Sequence, residues 1–397
     1  MGPLDWVDEE LAQLKRADLL RTLPPPLRAA AAVVELDGRR IINFASNDYL
    51  GLASDKRLIE AATRATRDQG LGRAASPLVC GRAEVHDALE QQLANFQRTE
   101  AALLFPTSFA ANAGIIPALV DRGDAIYGDE KNHASIIDGC RLARAQRHIY
   151  PHVDINALES LLQKSQKYRR RLIVTDSLFS MDGDLAPLSQ LGQLAEQYDA
   201  MLMVDEAHAI GVFGEHGRGV VEHFSQTDPQ LEQRVHIRIG TFAKALGVAG
   251  GFVCGTAPLI KWLANRARTY VFSTAQPAAL GAAGTVALDL VASEPQRRKS
   301  LLKKADALRQ QLHRHNWNTA PSASQIIPLR TGSPARTMRL SQMLRDRGIW
   351  APGIRPPSVP EDESLIRLGL TAAHTDQMLD FLVTTLQEAR GSMGPFP

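Results

Sequence analysis

From about residue 56 to 290, short apolar runs alternate with amphipathic stretches, and that rhythm is the strongest pattern in the chain. The runs are Ala101–Phe105, Ala125–Tyr127, His148–Tyr150, Leu172–Thr175, Met201–Asp205, His236–Gly240 and Gly251–Cys254. Between them, Val85–Gln97, Ala134–Ala145 and Ser189–Tyr198 repeat at helical spacing. Such alternation predicts an α/β fold with a mostly parallel sheet flanked by helices. Ligands of these sheets bind at the carboxyl ends of the strands, and the pattern places Asp205 at one of those ends.

The flanks read differently. Residues 6–22 form an amphipathic pattern stopped by Pro24-Pro25-Pro26. A strand pair is expected around Val33–Phe44, turning at Asp37-Gly38. Ser293-Glu294-Pro295 has the form of a capped helix start with an early proline, and Leu301, Ala305, Leu308 and Leu312 then recur at helical spacing. The domain change is placed there. The expected organisation is an N-terminal arm over 1–55, a large domain over 56–291 and a small C-terminal α+β domain over 292–397. The small domain includes Ile326–Leu329, Ile366–Leu370 and a helix near Asp376–Glu388, with a frayed tail from Gly391.

Composition mostly excludes. A net charge of +2, with 44% hydrophobic and 22% charged residues, describes an ordinary globular chain with no strong pull toward nucleic acid or membrane. Cys80, Cys140 and Cys254 are widely spaced and form no metal or disulfide framework, which fits a reducing cytoplasm. No signal peptide and no membrane span is expected.

The candidate chemistry centres on Lys244, which lies among small and apolar residues in Gly240-Thr241-Phe242-Ala243-Lys244-Ala245-Leu246-Gly247. Burial disfavours a charged lysine, and a neutral amine forms a Schiff base with an aldehyde. A buried carboxylate such as Asp205 keeps a pyridine nitrogen protonated and makes its ring an electron sink. Taken singly, Asp205 fits a helix cap better, and His208 either donates to a ring oxygen or satisfies the loop backbone. Taken with Lys244, they point to pyridoxal phosphate. The string Asp205-Glu206-Ala207-His208 also imitates a helicase motif, but the phosphate loop that reading requires is absent from the sequence. Gly70-Leu71-Gly72-Arg73-Ala74-Ala75 imitates a dinucleotide fingerprint, yet a polar, helix-like segment precedes it instead of a buried strand.

Pro106-Thr107-Ser108-Phe109-Ala110-Ala111-Asn112 joins a strand to a helix, so free N–H groups there suit a phosphate. Ser108 serves equally as a plain N-cap. Thr241 offers another hydroxyl. His133 opens a helix after a strand, where an imidazole either stacks on a flat cofactor or is merely solvated. Ser180 follows the Leu172–Thr175 strand and points to the same crevice. Arg367 interrupts an apolar strand, and a substrate carboxylate or a structural salt bridge accounts for it about equally. The basic runs Lys164–Arg171 and Arg297–Lys304 read as solvated faces, with an anionic acyl carrier as the sharper alternative.

With those residues in view, the chain resembles the α-oxoamine synthases, fold-type I pyridoxal phosphate-dependent transferases. The likeness runs from Ser46-Asn47-Asp48-Tyr49-Leu50-Gly51 to Arg367-Leu368-Gly369-Leu370-Thr371-Ala372-Ala373-His374. Ile354-Arg355-Pro356-Pro357-Ser358-Val359-Pro360 and Leu370–His374 are most similar to the biotin-synthesis branch, with the glycine C-acetyltransferase and 5-aminolevulinate synthase branches as alternatives. The resemblance implies that Lys244 holds the cofactor, Asp205 pairs with its pyridine nitrogen, and His133 stacks on the ring. It implies that His208 and Ser180 lie by the phenolic oxygen and that Ser108, Phe109 and Thr241 lie at the phosphate. It further implies a homodimer with a shared active site, in which Ser273 or Thr274 completes the neighbour's phosphate site. Arg21, Asn47, His133, Ser358 and Arg367 match substrate contacts, with His133 assisting at the thioester carbonyl. The implied substrates are L-alanine and a pimeloyl thioester on coenzyme A or an acyl carrier protein. Two departures stand out: Ser108 where glycine is usual, and Arg73-Ala74-Ala75 with Cys80 in a segment usually small or hydroxylated.

Overall fold

The computed structural model describes residues 2–23, 32–36, 38–394 and 396. Its contacts divide the chain into two units. One comprises Leu52–Ser180 and Leu185–Lys299; the other comprises Met1–Gly51, Met181–Asp184 and Ser300–Pro397.

The larger unit is built on a seven-stranded sheet. In chain order its strands are β1 (Ala101–Phe105), β2 (Ala125–Asp129), β3 (Gln146–Tyr150), β4 (Arg171–Asp176), β5 (Met201–Asp205), β6 (Ile237–Thr241) and β7 (Gly251–Gly255). The spatial order is β1-β7-β6-β5-β4-β2-β3. β7 runs antiparallel to both its neighbours, whereas β6, β5, β4, β2 and β3 pair in parallel. The interior strands are nearly continuous apolar runs because both faces are covered. Leu172, Val174, Met203, Ile237, Ile239 and Val253 are buried against Ile115 and Ile116 of the helix Ser108–Leu119.

Two close approaches fix the region that matters for function. A Cβ on Gly139 would lie 2.7 Å from the Asn112 carbonyl oxygen, so only glycine lets the helix Ala134–Leu142 lie this tightly on Ser108–Leu119. A Cβ on Gly251 would lie 2.3 Å from the backbone nitrogen of Ser108. Gly251 is also the register partner of Thr241. The helix N-terminus therefore abuts the paired ends of β6 and β7.

In the smaller unit, Val33–Leu36 pairs antiparallel with Arg39–Asn43, which pairs in parallel with Ile349–Trp350. A second sheet sets Ser364–Gly369 between Ile326–Gly332 and Gly353–Ile354. Leu301, Ala305, Leu308 and Leu312 are buried, as their spacing predicts.

Several expected boundaries move. The first helix is Trp6–Arg16 and stops short of residue 22, with no side chain buried to extend it. Pro24-Pro25-Pro26 and Asp37 lie outside the described residues. Ser293 does not cap the next helix. It ends the helix Ala278–Ser293, and its hydroxyl donates to the Asp289 carbonyl. Gly391 is not frayed; the last helix continues to Met393, capped at its start by Thr375. Gly70 ends the helix Lys56–Gln69 with φ of 79°, so the glycine pair there terminates a helix and opens no nucleotide fold.

Candidate active site

Asp205 closes β5 and is 4% exposed. Its Oδ2 accepts a 2.7 Å hydrogen bond from Nδ2 of Asn112, and its Oδ1 accepts from the Ala207 N–H at 2.9 Å. Asn112 is itself fully buried, one turn into the helix Ser108–Leu119, and its Oδ1 has no hydrogen-bond partner. Beside β5, Asp176 closes β4 as the register partner of Asp205. The Asp176 carboxyl is held well above the usual range, first by burial and then by the Asp205 charge. A hydrogen bond from the His133 backbone N–H at 2.7 Å, and the nearby Lys244, oppose that rise.

His133 caps the helix Ala134–Leu142, and its Nδ1 lies 2.8 Å from Oγ of Ser135. Desolvation lowers the imidazole pKa, with Asp205 opposing and Lys244 reinforcing the shift. Lys244 is half-buried in the loop between β6 and β7. Its charge thus acts on the same two groups, His133 and Asp176, as does that of Asp205.

The phosphate candidates meet at the N-terminus of Asn112's helix. Thr107, not Ser108, is the N-cap, and its hydroxyl accepts from the Ala110 N–H at 3.0 Å. Ser108 and Phe109 form the first turn. Thr241 is buried, donates to the Gly250 carbonyl at 2.8 Å and accepts from the Ala243 N–H at 3.1 Å. Gly251, paired with Thr241, packs on the Ser108 nitrogen. His208 is buried three residues beyond Asp205, and Ser180 is half-buried after β4. Ser273 and Thr274 line a separate small pocket with Arg82, His86, Glu90 and Tyr270.

Of the substrate candidates, His133 lies in the larger unit and Arg21, Asn47, Ser358 and Arg367 in the smaller. Arg21 donates to the Pro356 carbonyl at 3.2 Å and to Oγ of Ser358 at 3.4 Å. Arg367 is 5% exposed in the strand Ser364–Gly369 and donates to the Tyr49 hydroxyl at 3.3 Å. That hydroxyl donates to Oδ1 of Asn47 at 3.1 Å. Burial raises the Tyr49 pKa, so the phenol stays protonated.

Asn112, Ser135, Asp176 and Tyr49 were not among the residues expected from sequence. A usable signal existed for two of them: Asp176 ends a buried run as Asp205 does, and Asn112 is a polar residue inside an otherwise apolar helix. The basic runs are largely tied down. Arg169 binds Asp124 through two 3.0 Å bonds, Arg171 binds Ser165, Arg298 binds the Val291 carbonyl, and Lys304 binds the His374 carbonyl.

Comparison with known proteins adds an independent line. The family model for class I and II aminotransferases matches residues 39–386. The chain is 42% identical to the 8-amino-7-oxononanoate synthase of Bacillus pumilus, over 98% of each chain. It is 44% identical to that of Anaeromyxobacter dehalogenans, over 99% of this chain and 98% of the other. Among solved structures it is similar to a serine palmitoyltransferase from S. paucimobilis with PLP and myriocin bound. That match has a TM-score of 0.91 at 28% identity and covers 98% of each chain.

Proposed function

The chain belongs to the class I and II aminotransferase family and, within it, to the 8-amino-7-oxononanoate synthases, and we propose on that footing that it condenses L-alanine with a pimeloyl thioester. The products are 8-amino-7-oxononanoate, carbon dioxide and free thiol, in biotin biosynthesis. The chain is thus a pyridoxal phosphate-dependent acyltransferase.

The residues present suit that cofactor. Asn112 Oδ1 is a buried acceptor without a hydrogen-bond partner beside an anchored carboxylate, and the helix N-terminus at Ser108 abuts the Thr241 hydroxyl's strand. When bound, pyridoxal phosphate supplies an electron sink for charge at the amino acid's α-carbon. Asp205 holds the pyridine nitrogen's proton, fixed in place by Asn112. Lys244 would hold the aldehyde carbon, and its amine, once displaced by the incoming amino acid, would remove and return the α-proton. Ser108, Phe109 and Thr241 bind the phosphate through free N–H groups and a hydroxyl. His133 covers the ring, while His208 and Ser180 take its phenolic oxygen. Arg367 receives the amino acid's carboxylate, and Arg21, Asn47 and Ser358 serve the substrates. The observation that carries this chemistry is the buried Asp205 carboxylate at the end of its strand, anchored by Asn112 and level with Asp176, which takes the His133 N–H.

The active form is proposed to be a cytoplasmic homodimer, with Ser273 or Thr274 completing the partner's phosphate site. Phe272 at 71% and Val79 at 77% exposure are apolar side chains that a second copy would cover. No described helix is long and apolar enough to cross a membrane.

The test is product analysis by mass spectrometry. Purified protein is given L-alanine with pimeloyl-coenzyme A or with pimeloyl-acyl carrier protein. Formation of 8-amino-7-oxononanoate from either supports the assignment, and the faster donor identifies the carrier. Turnover of glycine or serine in place of alanine transfers the chain to another branch of the family.

A further inference from the structure

The hydrogen bonds around His133 have a defined polarity. Nδ1 lies 2.8 Å from Oγ of Ser135 and 3.2 Å from the Ser135 backbone nitrogen. The backbone N–H can only donate, so Nδ1 must present a lone pair to it. Nδ2 of Asn112 donates to the same Oγ at 2.9 Å, which leaves the serine hydroxyl its own proton to give to Nδ1. The amide's orientation is fixed in turn, because Nδ2 also donates to Oδ2 of Asp205 at 2.7 Å. A carboxylate accepts and an amide nitrogen donates, so Asn112 gives one N–H to Asp205 and the other to Ser135, and from Ser135 onward the donation runs to the imidazole.

We propose that Asn112 and Ser135 are positioning residues that hold His133 as the neutral tautomer with its proton on Nε2. The ring then presents a hydrogen-bond donor to its surroundings and has no basic nitrogen facing them. On the acyltransferase reading, which this inference deepens, the Nε2–H stabilises the negative charge that grows on the thioester's carbonyl oxygen as the carbon–carbon bond forms. No proton need leave the ring. The charged groups around His133 fit this state: Asp205 and Lys244 act on the ring in opposite senses, and Asp176 takes only the backbone N–H. Burial of Ser135 and Asn112 keeps water from substituting for either donor.

Long-range proton–nitrogen NMR of the full-length, ¹⁵N-histidine-labelled protein tests this, with and without added pyridoxal phosphate. The His133 signal is assigned by its loss in His133→Gln. Wild type should carry the proton on Nε2 from pH 6 to 9. Ser135→Ala should shift the tautomer ratio toward Nδ1–H by about fivefold, the change one net hydrogen bond supports. Ser135→Thr, which keeps the hydroxyl, should restore the wild-type ratio. Asn112→Ala, which frees that hydroxyl to rotate, should shift the ratio in the same direction as Ser135→Ala. A protonated Nδ1 in wild type, or identical ratios in wild type and Ser135→Ala, overturns the proposal even if Ser135→Thr does not fold. The spectra are independent of turnover, so a correct tautomer in a protein that makes no aminoketone refutes the acyltransferase reading alone.

Discussion

Asp176 and Asp205 are register partners on adjacent parallel strands, two buried carboxyl groups at the same level of the sheet. Only Asp205 has a side-chain amide donating to it, from Asn112, whereas Asp176 takes a backbone N–H from His133. Burial and the neighbouring charge raise the Asp176 pKa well above the usual value. A raised carboxyl binds its proton more tightly in the folded state. Its contribution to stability is therefore whole below about pH 4 and fades as pH rises through the folded value. Asp176→Asn mimics the protonated form and keeps an acceptor for the His133 N–H. Thermal melts of the variant should lose part of that decline, with a Tm at pH 8 no lower than wild type. A large drop at pH 8 would mean that the ionised carboxylate itself stabilises the fold.

Lys244 is expected to carry both the covalent anchor and the α-proton. Lys244→Ala should lower kcat by at least about a thousandfold, within the range of general acid–base catalysis. After borohydride reduction, peptide mapping of wild type should find the cofactor's mass on the Lys244 peptide. Label on another lysine, or turnover in Lys244→Ala near wild type, would contradict the assignment.

Arg367 is proposed for the substrate carboxylate, so its loss should be felt in binding. Arg367→Ala should raise the KM for L-alanine by roughly 10- to 100-fold, the scale of a charge-assisted pair, and alter the KM for the thioester little. Arg367→Lys should recover only part of this, since lysine lacks the planar fork. Equal effects on both KM values would assign Arg367 to the scaffold, through Tyr49 and Asn47.

His374 sets an acid limit on the smaller unit. It stacks on Phe44 with ring centroids 4.3 Å apart, and its Nδ1 accepts the Thr371 N–H at 3.0 Å. Burial lowers its pKa to about 4. The unfolded chain protonates near pH 6.5 while the folded one does not. Stability is whole above that value and falls as pH drops toward about 4, by up to about 3 kcal/mol. Urea midpoints between pH 7.5 and 5 should decline less steeply in His374→Gln than in wild type. Parallel declines would place the acid sensitivity elsewhere.

Local pattern was enough for much of the larger unit's sheet. Ala101–Phe105 and Met201–Asp205 form strands over the bounds their apolar runs indicate. The reversal of β7 was not legible, because an apolar pentapeptide carries no direction. Lys244 and Asp205 stand out as candidates in the sequence because both residues break the character of their surroundings. Asn112 and Ser135 were not, since polar residues near helix starts are common and these matter only through what lies across the fold. The cap at Thr107 in place of Ser108 is a one-residue shift that propensity does not resolve, as both side chains are good caps.

The reversed strand has a consequence for the loop that carries Lys244. Thr241 and Gly251 are register partners, and one residue further in the Phe242 N–H donates to the Gly250 carbonyl at 2.9 Å, so the segment between them is a hairpin closed at its feet. A crossover helix in that position could have absorbed an added or deleted residue by slipping on its neighbours. Here an added residue has to be taken up inside the span itself, and that would move the lysine it displays relative to the strand ends.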